Sequence, residues 1–260
     1  MTHLLRMPLA TRESRPQLKR SLRHVTSDPT ASKITPAAFA TPDMLHLNIG
    51  GLRLETPEAT KQALTLLENI RHDKSLWSSS VPFRVSVSGL LHNNSLHDCR
   101  RLYAPVIDHS STRAVAAYRR AVKHRFLDAG LMALNGRERS STAAPMYTAI
   151  LQNKRVKSKA FNTSPKLNAR LPEGVRRNLL KSYDLRESYN KFRNLTWAAD
   201  FALERLSIVD VHPPNIIKDG RVTGRGHEEI ASIPLPGIEH LEQEPELQGV
   251  TYVRPQWVFL

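Results

Sequence analysis

Residues 44–54 read MLHLNIGGLRL, and the rest of the chain is best read outward from them. Side chains alternate across a strand, so Leu45, Leu47 and Ile49 fall on one face and His46 and Asn48 on the other. The first face asks for burial. The second sets a titratable imidazole beside an amide, which raises the question of what that face meets. A second stretch has the same period: PMYTAILQ, 145–152, where Met146 and Thr148 share a face and Tyr147 lies opposite with Ala149.

The flanking segments supply the rest of an architecture. HLLRMPLA, 3–10, reads as a short apolar strand closed by Pro8. SRPQLKRSLRHV, 14–25, reads as a helix with Pro16 near its start and Leu18, Leu22 and Val25 at helical spacing. Residues 26–43 hold Pro29, Pro36 and Pro42 among Ser and Thr and read as a loop. TPEATKQALTLLENIRH, 56–72, is a helix capped by Thr56, with Pro57 at its first position and Ala63, Leu66, Leu67 and Ile70 as its buried stripe. VPFRVSVSGLL and CRRLYAPVID read as neighbouring strands. STRAVAAYRRAVKHRFLDAGL is a long helix with Val115, Tyr118, Val122 and Phe126 down one side and Gly130 as C-cap. NGRERSSTAAP is a loop, MYTAILQNKRV a strand, and LPEGVRRNLLKSYD a short amphipathic helix. FALERLSIVDVHP reads as one strand ended by Pro213–Pro214, with RGHEEIASIPLP as a closing strand paired to it. Trp197 and Phe201 look like core anchors. Hairpin-like pairs and irregular spacing indicate an α+β fold with mostly antiparallel sheet.

Composition narrows the function. Hydrophobic residues make up 40% of the 260, enough for a substantial core. The single cysteine, Cys99, excludes a disulfide framework and a multi-cysteine zinc site, and suits a reducing intracellular compartment, cytoplasmic or nuclear. No apolar run approaches the ~20 residues that cross a bilayer, so no membrane insertion is expected. The formal net charge of +14 favours polyanions. That charge is concentrated between residues 154 and 193, while the stretch after Pro236 carries Glu239, Glu242, Glu244 and Glu246. There is no glycine-rich phosphate loop, no serine nucleophile elbow and no His-Glu-x-x-His run.

The paired strands resemble the 2H phosphoesterases, a family with a duplicated, bilobal α+β fold and one His-x-Thr/Ser motif per lobe facing a central groove. The resemblance is nearest to the nuclear-localisation-signal domain of A-kinase anchoring proteins, particularly its fungal-type relatives. It is carried by the opening strand with SRPQL, the FRVSVSGLL and RRLYAPVID strands, the helix ending FLDAGL, and FALERLSIVDV. It implies a two-lobed domain over residues 1–236, mostly antiparallel sheets around a groove with flanking helices, and an acidic tail over 237–260. It also implies phosphodiester chemistry on RNA or oligonucleotides with 2′,5′-linked or 2′,3′-cyclic phosphates, with no metal and no organic cofactor. One imidazole takes a proton and the other gives one, and histidine suits both tasks because its reference pKa of ~6.5 lies near working pH.

The first motif reads His46-Leu47-Asn48, an amide in place of the hydroxyl. The second reads Met146-Tyr147-Thr148, and a thioether neither donates nor accepts a proton near neutrality. Losing one proton carrier removes about 10²–10⁴-fold of rate, so the expectation is a pseudoenzyme or a weak phosphodiesterase. His46 would be the surviving acid or base, Asn48 and Thr148 the phosphate contacts, and Lys154, Arg155 and Lys157 the nearby charge. His92, His97, His109 and His124 are the candidates to replace the missing histidine, each with an ordinary surface or loop role as the alternative. His24-Val25-Thr26 fits the motif letters but ends a basic helical pattern. Two rival readings remain: a non-catalytic nucleic-acid-binding module using the basic 154–193 segment, and a protein-interaction scaffold served by the acidic tail and TYVRPQWVFL.

Overall fold

The computed structural model describes residues 3–76, 81–92, 95–110, 112–132, 146–152, 182–210, 215–218, 221–225 and 228–238. Lys154, Arg155, Lys157, the 135–145 loop, nearly all of the 171–184 helix and the tail beyond residue 238 lie outside the described residues.

Two antiparallel sheets form the frame. The first contains β1 (His3–Pro8), β2 (His46–Leu52), β8 (Arg205–Asp210) and β11 (Glu229–Pro234), in the order β11-β8-β1-β2. The second contains β3 (Arg84–Ser88), β4 (Leu91–His92), β5 (Arg101–Asp108), β6 (Tyr147–Gln152) and β7 (Thr196–Ala202). In it β5 pairs with β3, β4 and β6, and β3 also pairs with β7. A separate hairpin joins β9 (Asn215–Lys218) to β10 (Arg221–Arg225) in the connection between β8 and β11.

The helices cross between the sheets. α1 (Ser14–Thr26) follows β1 of the first sheet but packs on β7 of the second, where Ser21 Oγ donates to the Trp197 carbonyl at 3.0 Å. α3 (Ala114–Asp128) follows β5 of the second sheet and packs on β2 of the first, beside α2 (Pro57–His72). α1 and α3 bury the stripes their spacing specifies, Leu18, Leu22 and Val25 in α1 and Val115, Tyr118, Val122 and Phe126 in α3; of the stripe expected in α2, Ala63, Leu67 and Ile70 are buried and Leu66 is half-buried. Thr56 caps α2, its hydroxyl accepting the Ala59 N–H at 3.2 Å. One contiguous apolar cluster runs through both sheets and includes Trp197 and Phe201.

Two expectations need correction. FALERLSIVDV is not one strand: β7 ends at Ala202, β8 begins at Arg205, and the chain changes sheets between them. The crossing is held without a turn residue, by Leu203 N–H to the Phe83 carbonyl at 2.8 Å and Leu235 N–H to the Glu204 carbonyl at 2.9 Å. The loop after α1 is also not featureless. Its three prolines each open a 3₁₀ turn, at Pro29, Pro36 and Pro42, as a residue with φ preset near the helical value does. A short helix absent from the sequence reading, α4 (Arg186–Phe192), completes the described elements.

Candidate functional site

The two sheets meet edge to edge. β2 is the last strand of the first sheet and β6 pairs only with β5 in the second. Along this seam the His46 N–H donates to Thr148 Oγ1 at 3.1 Å, the Ala40 N–H to the Ile150 carbonyl at 2.8 Å, and Phe39 bridges to Leu151. The two stretches that the sequence pairs by period are therefore neighbours in space.

Alternation in β2 runs as the residues require. Leu47 and Ile49 are buried, His46 is half-buried and Asn48 is exposed. His46 Nδ1 lies 2.6 Å from the Met44 carbonyl. A carbonyl only accepts, so Nδ1 carries the proton and the neutral ring presents Nε2 as its acceptor nitrogen. That is the tautomer a general base at Nε2 needs.

The β6 side is arranged differently. Thr148 is 2% exposed and its hydroxyl holds the His46 amide, so it joins the two edges rather than facing solvent. Met146 is half-buried against the core. Tyr147, placed by the sequence opposite Thr148, is the exposed member of the Met146-Tyr147-Thr148 motif and packs edge-on against Tyr103 with ring centroids 4.9 Å apart. Asn48 receives a contact the sequence did not signal: Arg119 of α3 donates to its carbonyl at 2.6 Å.

None of the four candidate replacement histidines comes to this seam among the described contacts. His92 packs edge-on against Tyr189 at 5.1 Å. His97 lies 3.4 Å from Asp184, whose carboxyl Arg186 holds well below its ordinary range. His109 Nε2 is 2.7 Å from Ser86 Oγ, which in turn accepts the Asp200 N–H at 2.8 Å. That hydroxyl serves the irregular part of β7, where Asp200 has φ of +37° and Arg84 binds its carboxylate. His124 is exposed on α3. His24 stays in α1 and packs on Phe192. Cys99 is buried, and among the described residues no group of His, Cys, Asp or Glu has the arrangement to hold a metal ion. No helix among the described residues is long and apolar enough to cross a membrane.

A match to a family model over most of its length makes this a chain of the 2′-5′ RNA ligase-like class. Within that class, a family model described as the AKAP7 2′5′ RNA ligase-like domain matches residues 1–216, and the chain belongs to that family. No curated protein matches the sequence. Among solved structures, E. coli LigT complexed with 3′-AMP is similar at 13% identity and a TM-score of 0.47, covering 90% of this chain and 97% of its own. TT0787 of Thermus thermophilus is similar at 13% identity and a TM-score of 0.46, covering 91% and 99%.

Proposed function

We propose that this chain is a diverged 2H phosphoesterase-like protein that binds RNA or oligonucleotide phosphodiesters and hydrolyses them weakly at most. The carrying observation is that, among the described residues, His46 is the one imidazole at the seam. His46 has its Nδ1 proton committed to the Met44 carbonyl and Nε2 set as the acceptor, while the second-motif position holds Met146. Among the described residues the candidate replacements are spent on Tyr189, Asp184 and Ser86 or lie out on α3. With a thioether at the second-motif position, that position can give no proton to the leaving oxygen. Family membership supports the ligand class, and the net charge of +14 supports a polyanion. Asn48 offers an amide donor to a phosphate oxygen, and Lys154, Arg155 and Lys157, which follow the seam strand directly in sequence, add charge. The protein requires no metal and no organic cofactor in this reading.

The test is turnover of 2′,5′-linked oligoadenylate and of 2′,3′-cyclic-phosphate RNA ends by wild type, His46→Ala, Met146→His and Tyr147→His. The last variant is included because Tyr147 is the exposed residue of its motif. The expected result is little or no turnover in wild type, with activity gained in one of the two histidine variants and lost again when His46→Ala is added. Efficient wild-type turnover that survives His46→Ala would sink the reading. The rival module using residues 154–193 predicts oligonucleotide binding that ignores every seam variant.

A further inference from the structure

Five arginines pair with carboxylates: Arg15 with Asp43, Arg84 with Asp200, Arg125 with Asp73, Arg186 with Asp184 and Arg205 with Glu229. Three arginines have a buried Nε with no hydrogen-bond partner, Arg6, Arg100 and Arg119, and two of them, Arg6 and Arg119, adjoin Asn48. Arg6 is the cross-strand partner of Asn48 in β1, so the two side chains share a face of the first sheet, the face that also carries His46 opposite Pro8. Arg119 reaches Asn48 from α3 and bonds its carbonyl.

Arg6 is 4% exposed, and among the described residues its side chain makes one hydrogen bond, a 3.2 Å contact to the Asp43 carbonyl. Its Nε is buried without a partner, and so is the Oγ of Ser207, its cross-strand neighbour on the other side. The Arg119 Nε is likewise buried and unpaired. Neither guanidinium makes an ion pair among the described residues. Burial lowers both: Arg6 falls to about 10 although Glu229 and Asp43 pull the other way, and Arg119 falls with the Tyr147 phenol as its offsetting neighbour. A buried cation without a counter-ion is costly, and removing it in favour of an apolar side chain is often neutral or stabilising. Two arginines with a buried, unpartnered Nε, one on either side of a motif residue and neither ion-paired among the described residues, are placed to receive an anion.

We propose that Arg6 and Arg119 are the anion-binding residues of the groove, taking the phosphate oxygens of a bound phosphodiester beside Asn48, Arg6 along the sheet face and Arg119 at the strand's open edge. The inference rests on the phosphodiester-binding reading given above and adds the residues that recognise the charge. It also explains how a site with one histidine keeps its ligand: fixed guanidinium charge replaces the affinity that a second, protonatable imidazole would supply.

The test uses thermal unfolding in inorganic phosphate against chloride at equal ionic strength. The proteins are wild type, Arg6→Met, Arg119→Met, and Arg20→Met on the exposed side of α1 as control. Phosphate should raise the Tm of wild type and of Arg20→Met, and should leave Arg6→Met and Arg119→Met unmoved. The same two variants should bind 2′,5′-linked oligoadenylate about tenfold more weakly than wild type. A wild type indifferent to phosphate, or arginine variants that respond as wild type does, would overturn the proposal. If the variants fail to fold, the arginine Nε–H resonances of the wild type decide the matter: two buried signals that shift with phosphate support the site, and unchanged signals refute it. Oligoadenylate binding that survives both arginine variants but falls in a Lys154, Arg155 and Lys157 triple variant would end this inference and leave the functional reading standing. An arginine-dependent phosphate response without any oligoadenylate binding would do the reverse.

Discussion

At Gly50 a side chain has no room. The residue lies in β2, two along from Asn48, and a Cβ there would stand 2.7 Å from Met132 Cε and closer still to its sulfur. The backbone at Met132 is held, since Leu52 bridges to it and the Arg53 N–H donates to the adjacent Leu131 carbonyl at 3.0 Å. Gly50→Ala should therefore cost about 1–3 kcal/mol of stability by overpacking. The conflict is with the far end of a flexible side chain, so Met132→Ala should relieve it. In a denaturant-unfolding cycle the double variant should lie above the sum of the singles, and strict additivity would mean the two residues do not meet. A second residue-scale prediction concerns Asp28. Its carboxylate accepts from Thr30 and from Lys191 Nζ at 2.6 Å, tying the first 3₁₀ turn to α4. Those partners lower Asp28 from its ordinary value to about 2. A depressed carboxyl stabilises the fold above its unfolded pKa and loses that contribution as pH falls through the folded one. The Tm gap between wild type and Asp28→Asn should be full above about pH 4 and shrink toward pH 2. A gap that widens on acidification would refute the assignment.

At the scale of elements, the seam between β2 and β6 depends on a side chain. β6 gives β2 no ladder at His46; instead the Thr148 hydroxyl takes the His46 N–H. Thr148→Val keeps the shape, removes the acceptor and leaves a backbone donor unpaired, which costs about 1–3 kcal/mol. Thr148→Ser should recover most of it, and urea unfolding reads both. Equal loss in Ser and Val would mean that packing of the methyl, not the hydrogen bond, carries the seam. Much of this layout was legible in the residues. The alternation in MLHLNIG placed His46 and Asn48 correctly on one face, and Thr56-Pro57 marked the start of α2. What was not legible follows from the same physics. Alternation says which side chains of PMYTAIL share a face, but not which face another sheet will cover, so Tyr147's exposure could not be read from its period. The β7–β8 crossing lacks Gly or Pro, and Phe201, Leu203 and Leu206 are all fully buried on either side of it, so the run looks continuous. Arg6 and Arg119 gave no signal either, because a basic residue inside a strand or helix reads as a solvated position until its neighbours are known.

For the whole molecule the governing quantity is charge. The chain carries 38 Lys and Arg against 24 Asp and Glu, and 12 of the basic residues fall between Lys154 and Arg193. If single-stranded oligonucleotide binding neutralises about four phosphates, the logarithm of affinity should fall against that of salt concentration with a slope of about −2.8. A fourfold rise in salt then weakens binding by about fiftyfold. The slope separates two kinds of contact. Replacing Lys154, Arg155 and Lys157 by Gln should bring it about two units nearer zero if all three meet phosphates. His46→Ala should change affinity modestly and leave the slope close to where it was, because one imidazole is a small part of the charge that would meet phosphate. Titrations of a fluorescent oligonucleotide over a salt series measure both. A slope that the triple variant does not move would take the basic segment out of the interface and leave the region around Asn48, with Arg6 and Arg119, to account for whatever affinity is found.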